Sequence, residues 1–349
     1  MATQPETDRE IESFEVDIGV SDATGLGEQA TVSMTVHHPS GETLGDAPVV
    51  CFAKPGAGFT RHYFTDDLPG PASGAQAEWH ARRGWIFVSC DHLGVGTSSR
   101  HEIGALDYPT VVAAADAAER EVLQRLTDGS LAQGLAPVSD PVVVGLGQSM
   151  GGSLVVVQQA RHRTYDGIGV LGYGAIHTCP PVRPGSVEAV LPWMPRDARY
   201  DDSSAMLNAD DVLASAARVV SDEEFLADIT WGFYYDDVDV QAASKGRWIS
   251  DGYLHAIVAY VCTPGVIASE AAAITVPVLV AAGERDSVAD PRGEPRAYLS
   301  SPSVDLFLCP RMAHMHNFAG TREVFWQRIS TWADWVCAHR TWRNSVRTG

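Results

Sequence analysis

Three residue types, far apart along this 349-residue chain, carry chemistry if folding brings them together. The first is Ser149, set in Gly147-Gln148-Ser149-Met150-Gly151 between a β-branched run and an apolar stretch of helical character. This G-x-S-x-G spacing has a steric reading. A serine on a sharp strand-to-helix turn adopts positive φ, and the two glycines remove side chains that would collide there. The turn lifts the serine Oγ above a sheet and places the Met150 N–H at a helix start, where it can stabilise a developing oxyanion. A serine alone is a poor nucleophile near neutral pH. It needs a base within hydrogen-bond reach, and the base needs a carboxylate to hold its tautomer. The apolar run 276–282 breaks at Gly283-Glu284-Arg285-Asp286, and Asp286 is the carboxylate best placed to receive a histidine N–H, with Glu284 and Asp290 as alternatives. The run 303–309 then delivers Pro310-Arg311-Met312-Ala313-His314-Met315-His316, which offers two imidazoles. Serine, aspartate and histidine in this order, each just after a predicted strand, point to covalent acyl transfer.

The elements that must position these groups are readable in outline. Residues 47–53 form a continuous apolar run, expected as a buried central strand. It ends in Lys54-Pro55-Gly56-Ala57-Gly58-Phe59, a glycine-rich loop whose backbone can approach a ligand. Pro55 has no N–H, so a second oxyanion donor falls to Gly56 or Ala57. Residues 85–90 predict the next buried strand, running into Asp91-His92-Leu93-Gly94-Val95-Gly96-Thr97-Ser98. Asp91 reads as the brace of that turn, and His92 and His101 as loop histidines. Residues 14–18 and 30–38 alternate as an antiparallel edge pair would. Helical patterns cover 73–83, 108–126, 150–162 and 321–339, the last with Val324, Phe325, Ile329, Trp332, Trp335 and Val336 expected to face inward. Strand alternating with helix predicts an α/β fold with a mostly parallel sheet covered on both faces.

Between about residues 179 and 273 this alternation stops. Prolines, acidic clusters, helix-like runs and the aromatic group Trp231-Gly232-Phe233-Tyr234-Tyr235 take its place. We expect an inserted, mainly helical cap at 179–273 on a core formed by 13–178 and 274–349. Phe59, Trp231, Phe233, Tyr234 and Tyr253 are substrate-pocket candidates, the aromatic group serving equally well as the cap's own small core.

A net charge of −19 and a pI near 4.9 argue against a nucleic-acid partner. The first twenty residues lack the basic start and apolar stretch of a secretory signal, and no run approaches the ~20 apolar residues of a membrane helix. Six scattered cysteines without a C-x-x-C fit reduced thiols rather than disulfides or a zinc site. The expectation is a cytoplasmic protein with a small-molecule substrate and no membrane partner, compatible with a homodimer. No cofactor is expected, and His-x-His alone lacks the further ligands a catalytic metal needs.

Together, Gly147 to Gly151, Asp91 to Ser98, Gly283 to Asp286 and the late histidine resemble the α/β-hydrolase superfamily, in its serine-nucleophile branch, over nearly the whole chain. The resemblance implies a Ser149–His314–Asp286 triad, because such proteins place the base soon after the last strand. His316 would then sit at the pocket edge or hydrogen-bond a loop. The oxyanion loop departs from the many relatives that begin it His-Gly, since Pro55-Gly56 stands here. A serine at 149 argues against epoxide hydrolase or haloalkane dehalogenase chemistry, for which the resemblance would require an aspartate there. What it implies is cleavage of a carboxylic ester or lactone of a small to medium, largely apolar substrate. The alternatives are C–C bond hydrolysis, thioester cleavage or acyl transfer on the same triad, and a non-catalytic small-ligand receptor.

Overall fold

The computed structural model describes residues 9–40, 44, 47–179, 181, 183, 222–252, 254, 257–258 and 261–348. Runs of β-branched and aromatic residues form the strands of one eight-stranded sheet. These are β1 (Ile11–Gly19), β2 (Thr31–Pro39), β3 (Val49–Lys54), β4 (Ile86–Cys90), β5 (Val142–Gln148), β6 (Gly167–Leu171), β7 (Val278–Gly283) and β8 (Val304–Cys309). Their spatial order is β1-β2-β4-β3-β5-β6-β7-β8. β1 and β2 pair antiparallel at one edge and β2 joins β4 antiparallel; from β4 to β8 every pairing is parallel. β3 to β6 are buried along their whole length, as continuous apolar strands sandwiched between helices must be.

Among the described residues the α-helices are α1 (Ser21–Thr24), α2 (His62–Thr65), α3 (Gln76–Ala81), α4 (Tyr108–Asp128), α5 (Met150–His162), α6 (Asp222–Phe233), α7 (Val240–Ala243), α8 (Ala268–Ala272) and α9 (Arg322–Thr348). α4 begins cleanly because the Asp107 side chain accepts the Thr110 N–H and Pro109 occupies its first turn; it ends at Gly129, which takes up the left-handed backbone of a helix stop. Two apolar layers result. Val111, Val122, Leu154 and Val156 of α4 and α5 cover one face of the sheet, against Val50, Ile86 and Ile168. Phe325, Trp326, Ile329, Trp332 and Val336 of α9 cover the other, with Phe64 and Ala77 of α2 and α3.

Two of the six α9 residues expected to face inward do not. Val324 and Trp335 are exposed, because the buried stripe is narrower than the run of apolar residues in the sequence. α9 also continues nine residues beyond His339, to Thr348. Between β6 and β7 the described residues are helical or irregular apart from single β-bridges at Thr178 and Ile249, and most of the stretch 180–221 lies outside the described residues. No described helix is long and apolar enough to cross a membrane.

The consequence for chemistry is directional. Parallel strands end on one side of the sheet, so the loops after β3, β5, β7 and β8 emerge together, where open α/β sheets hold their ligands.

Candidate active site

The turn after β5 has the conformation that its glycines permit. Ser149 has φ 53° and ψ −124°, a strained backbone for a non-glycine residue, and α5 begins at the next residue. A Cβ on Gly147 would lie 2.2 Å from the Gly151 carbonyl oxygen, and one on Gly151 would lie 2.3 Å from that of Lys54. Side chains at either place would force the turn apart. The Ser149 N–H donates to Leu171 O at 2.7 Å, tying the turn to β6.

Over this serine stands His314. Its Nε2 is 2.9 Å from Ser149 Oγ and its Nδ1 is 2.6 Å from Asp286 Oδ1. A carboxylate can only accept, so Nδ1 carries the proton and Nε2 is left to take the serine's. Asp286 also accepts the Gly283 and Ser287 N–H groups, each at 2.7 Å. Burial alone would push this carboxyl up, but His316 and then His314 outweigh it and hold it well below the usual carboxylate range. Asp286 is therefore ionised at any pH at which the imidazole is a base. Glu284 instead accepts the Arg311 N–H and the Tyr235 hydroxyl, and Asp290 pairs with Arg296, so neither alternative carboxylate serves a histidine among the described residues.

On the opposite flank lies the loop after β3. A Cβ on Gly56 would fall 2.9 Å from that of Ser149 and 2.4 Å from Gln148 Oε1, so this backbone approaches the serine as only glycine can. The N–H groups of Gly56, Ala57 and Met150 donate to no backbone group among the described residues. The loop is braced from beneath: His92 Nε2 donates to Pro55 O at 2.8 Å. Burial pushes this imidazole down to about 4, so it is neutral and its one donor is committed to the loop. Lys54, at the end of β3, is buried against Glu119 and Tyr165, the phenol at 2.7 Å. Asp91 accepts the Arg61 N–H, the Arg61 guanidinium and the Thr97 N–H, and His101 bonds Ser99 and Glu28 away from the serine.

Of the two places expected for His316, pocket edge or a hydrogen bond to a loop, it takes the second. It is buried behind Asp286, its Nε2 at 2.8 Å from Oδ2, because the turn between the two histidines points both rings at one carboxylate. The aromatic group at 231–235 reaches several separate partners. The Phe233 ring lies 4.7 Å from that of His314, Tyr234 meets Phe318 edge-on at 5.6 Å, and the Arg285 guanidinium covers Trp231 at 4.7 Å. Phe59 is buried, edge-on to Tyr63 at 5.5 Å and bridged to Ile249. Tyr253 lies outside the described residues.

Two contributions have no clear signal in the sequence. The Gln148 amide donates to His314 O at 3.0 Å. The main chain at the end of α6 accepts from the histidine loop: His314 N–H to Gly232 O and Met315 N–H to Phe233 O, both at 2.9 Å. A variable position inside G-x-S-x-G and a pair of carbonyls carry no residue-type mark.

No family model matches this chain, and no curated protein matches it in sequence. Solved structures do match in shape. A thermophilic esterase from Thermogutta terrifontis is 15% identical, with a TM-score of 0.54 over 92% of this chain and 99% of that one. The enol-lactonase from Burkholderia xenovorans is 14% identical, with a TM-score of 0.55 over 87% of this chain and 97% of that one. A haloalkane dehalogenase loop variant from Bradyrhizobium elkanii is 12% identical, with a TM-score of 0.55 over 96% of this chain and 100% of that one. With its parallel sheet, its strand-to-helix turn at Ser149 and these neighbours, the chain has the α/β-hydrolase fold.

Proposed function

We propose that this protein is a serine hydrolase that cleaves a carboxylic ester or lactone of a small to medium, largely apolar substrate through an acyl-enzyme. The observation that carries the reading is the unbroken hydrogen-bond relay from Ser149 Oγ through His314 to Asp286. In this reading Ser149 Oγ attacks the carbonyl carbon as His314 Nε2 takes its proton. The Met150 N–H and a Gly56 or Ala57 N–H hold the oxyanion, and Asp286 stabilises the imidazolium. His314 then protonates the departing alkoxide, and water repeats the two steps on the acyl-enzyme. Phe233, packed on the imidazole, favours an apolar group beside the reacting carbon. Residues 179–273 act as the cap on a core of 13–178 and 274–349. Two of the fold neighbours are named as an esterase and an enol-lactonase, which agrees with an ester or lactone carbonyl. The third is named as a dehalogenase, but this chain carries serine rather than aspartate at position 149.

The test is labelling with a fluorophosphonate probe together with turnover of p-nitrophenyl esters, a lactone and a thioester. Expected are stoichiometric modification of Ser149 and ester or lactone turnover that Ser149→Ala lowers by roughly 10⁶-fold in kcat. Wild type and Ser149→Ala hydrolysing the whole panel equally slowly would overturn the proposal. Faster turnover of the thioester than of every oxygen ester would move it to another acyl class.

A further inference from the structure

We propose that His316 is a positioning residue, a second imidazole that clamps the far oxygen of Asp286 so that the near one stays aimed at His314. The inference rests on the reading of Ser149, His314 and Asp286 given above.

The carboxylate of Asp286 has four partners, two on each oxygen. Oδ1 takes His314 Nδ1 at 2.6 Å and the Ser287 N–H at 2.7 Å; Oδ2 takes His316 Nε2 at 2.8 Å and the Gly283 N–H at 2.7 Å. Both imidazoles therefore stand on one carboxylate, yet only His314 touches the serine. His316 has no other hydrogen bond through its ring: Nδ1 is buried and has no partner among the described residues. Among the described residues, an apolar ring and a glycine lie beside its own ring. The Phe325 ring of α9 lies 4.5 Å away, and a Cβ on Gly172 would sit 3.0 Å from His316 Cε1. Packing alone would be served as well by an apolar ring, without the desolvation that a buried imidazole undergoes. What the imidazole adds is one N–H donated to Oδ2.

That bond acts twice. It stops the carboxylate turning about its Cβ–Cγ bond when His314 gains and loses charge in each cycle. It also draws negative charge toward Oδ2, which tempers the basicity that Asp286 lends His314 and helps the imidazolium release its proton to the leaving group. The titratable groups facing Asp286 are His314 and His316 from the loop after β8 and Tyr63 from α2, whose buried phenol is held well above its usual range. α9 contributes Phe325, which carries no charge.

The experiment compares His316→Phe, which keeps a ring against Phe325 but loses the donor, with His316→Gln, whose amide nitrogen reaches about the place of Nε2. His316→Asn, too short to reach Oδ2, replaces the phenylalanine variant if that one does not fold. Loss of the donor should lower kcat about ten-fold with KM within about two-fold, and should move the acid limb of kcat/KM to higher pH by roughly half a unit or more. The glutamine variant should restore both. A second readout needs no turnover: the low-field N–H proton resonance of His314, assigned by its disappearance in His314→Gln, should move in the phenylalanine variant and return in the glutamine one. If wild type turns over no ester, the hydrolase reading fails while the resonance still tests the clamp. A folded His316→Phe with an unmoved resonance, or a glutamine variant no closer to wild type than phenylalanine in either readout, would overturn it.

Discussion

Two aspartates stand just past the carboxyl ends of parallel strands, and their surroundings set them apart. Asp91 follows β4 and Asp286 follows the turn after β7; both side chains are buried and both accept main-chain N–H groups. Asp91 faces the guanidinium of Arg61, a cation that never gives up its proton. Asp286 faces two imidazoles, one of which also reaches the hydroxyl of Ser149. The same carboxylate in the same kind of turn is thus a fixed brace in one place and, in the function proposed above, part of a proton relay in the other. The partner, rather than the carboxylate, decides which.

Removing each carboxylate should give opposite signatures. Asp286→Asn is expected to lower kcat about 10⁴-fold, by leaving His314 in the wrong tautomer, while the melting temperature changes far less in proportion. Asp91→Ala should leave kcat per folded molecule within a few-fold but destabilise by about 3–5 kcal/mol, because Arg61 stays buried without its principal anion. Urea unfolding alongside active-site titration separates the two, and a large kcat loss in Asp91→Ala would dissolve the distinction.

The glycines beside each carboxylate sharpen the contrast. A Cβ on Gly96 would meet Asp91 Oδ2 at 2.1 Å, and one on Gly172 would meet Asp286 Oδ1 at 2.9 Å and His314 Nδ1 at 3.2 Å; both glycines have positive φ. Gly172→Ala should lower kcat roughly 100-fold through displacement of the relay. Gly96→Ala should instead lower stability by about 1–3 kcal/mol with kcat per folded molecule little changed.

The smallest effect concerns pH. His92, next to Asp91 in the chain, bonds a carbonyl rather than a carboxylate, and burial takes its pKa from 6.5 to about 4. The fold favours its neutral form. Its contribution to stability is therefore complete above pH 6.5 and is lost as the pH falls from there toward 4. Unfolding free energy should drop over that window by roughly 1–3 kcal/mol from this group, and His92→Gln should flatten the drop.

Much of this arrangement was legible in the residues. β5, the turn at Ser149 and α5 were marked by β-branched residues, glycines and an apolar helical run at consecutive positions, where local sterics decide the conformation. The edge pair β1–β2 was marked by alternation. What local pattern does not encode is the identity of a distant partner. His316 and His314 are two residues apart and look alike; both reach Asp286, and it is the contact with Ser149 that sets His314 apart. Gln148 carries no mark beyond its place in the motif, and its bond to His314 O spans 166 residues of chain. Trp335 and Val324 were misread because periodicity shows which residues share a helix face but not how wide a stripe the sheet will cover.

The end of α6 has a consequence for which changes in sequence the histidine loop can feel. Gly232 and Phe233 hold the loop of His314 through carbonyl oxygens, and Gly232 is itself pressed against Pro181, where a Cβ would lie 1.8 Å from the proline Cγ. No replacement of a side chain deletes a carbonyl. This junction is inherited by every variant that keeps the path of the backbone. Whatever side chains the helix carries upstream, its last turn and the loop of the imidazole are joined as one mechanical part.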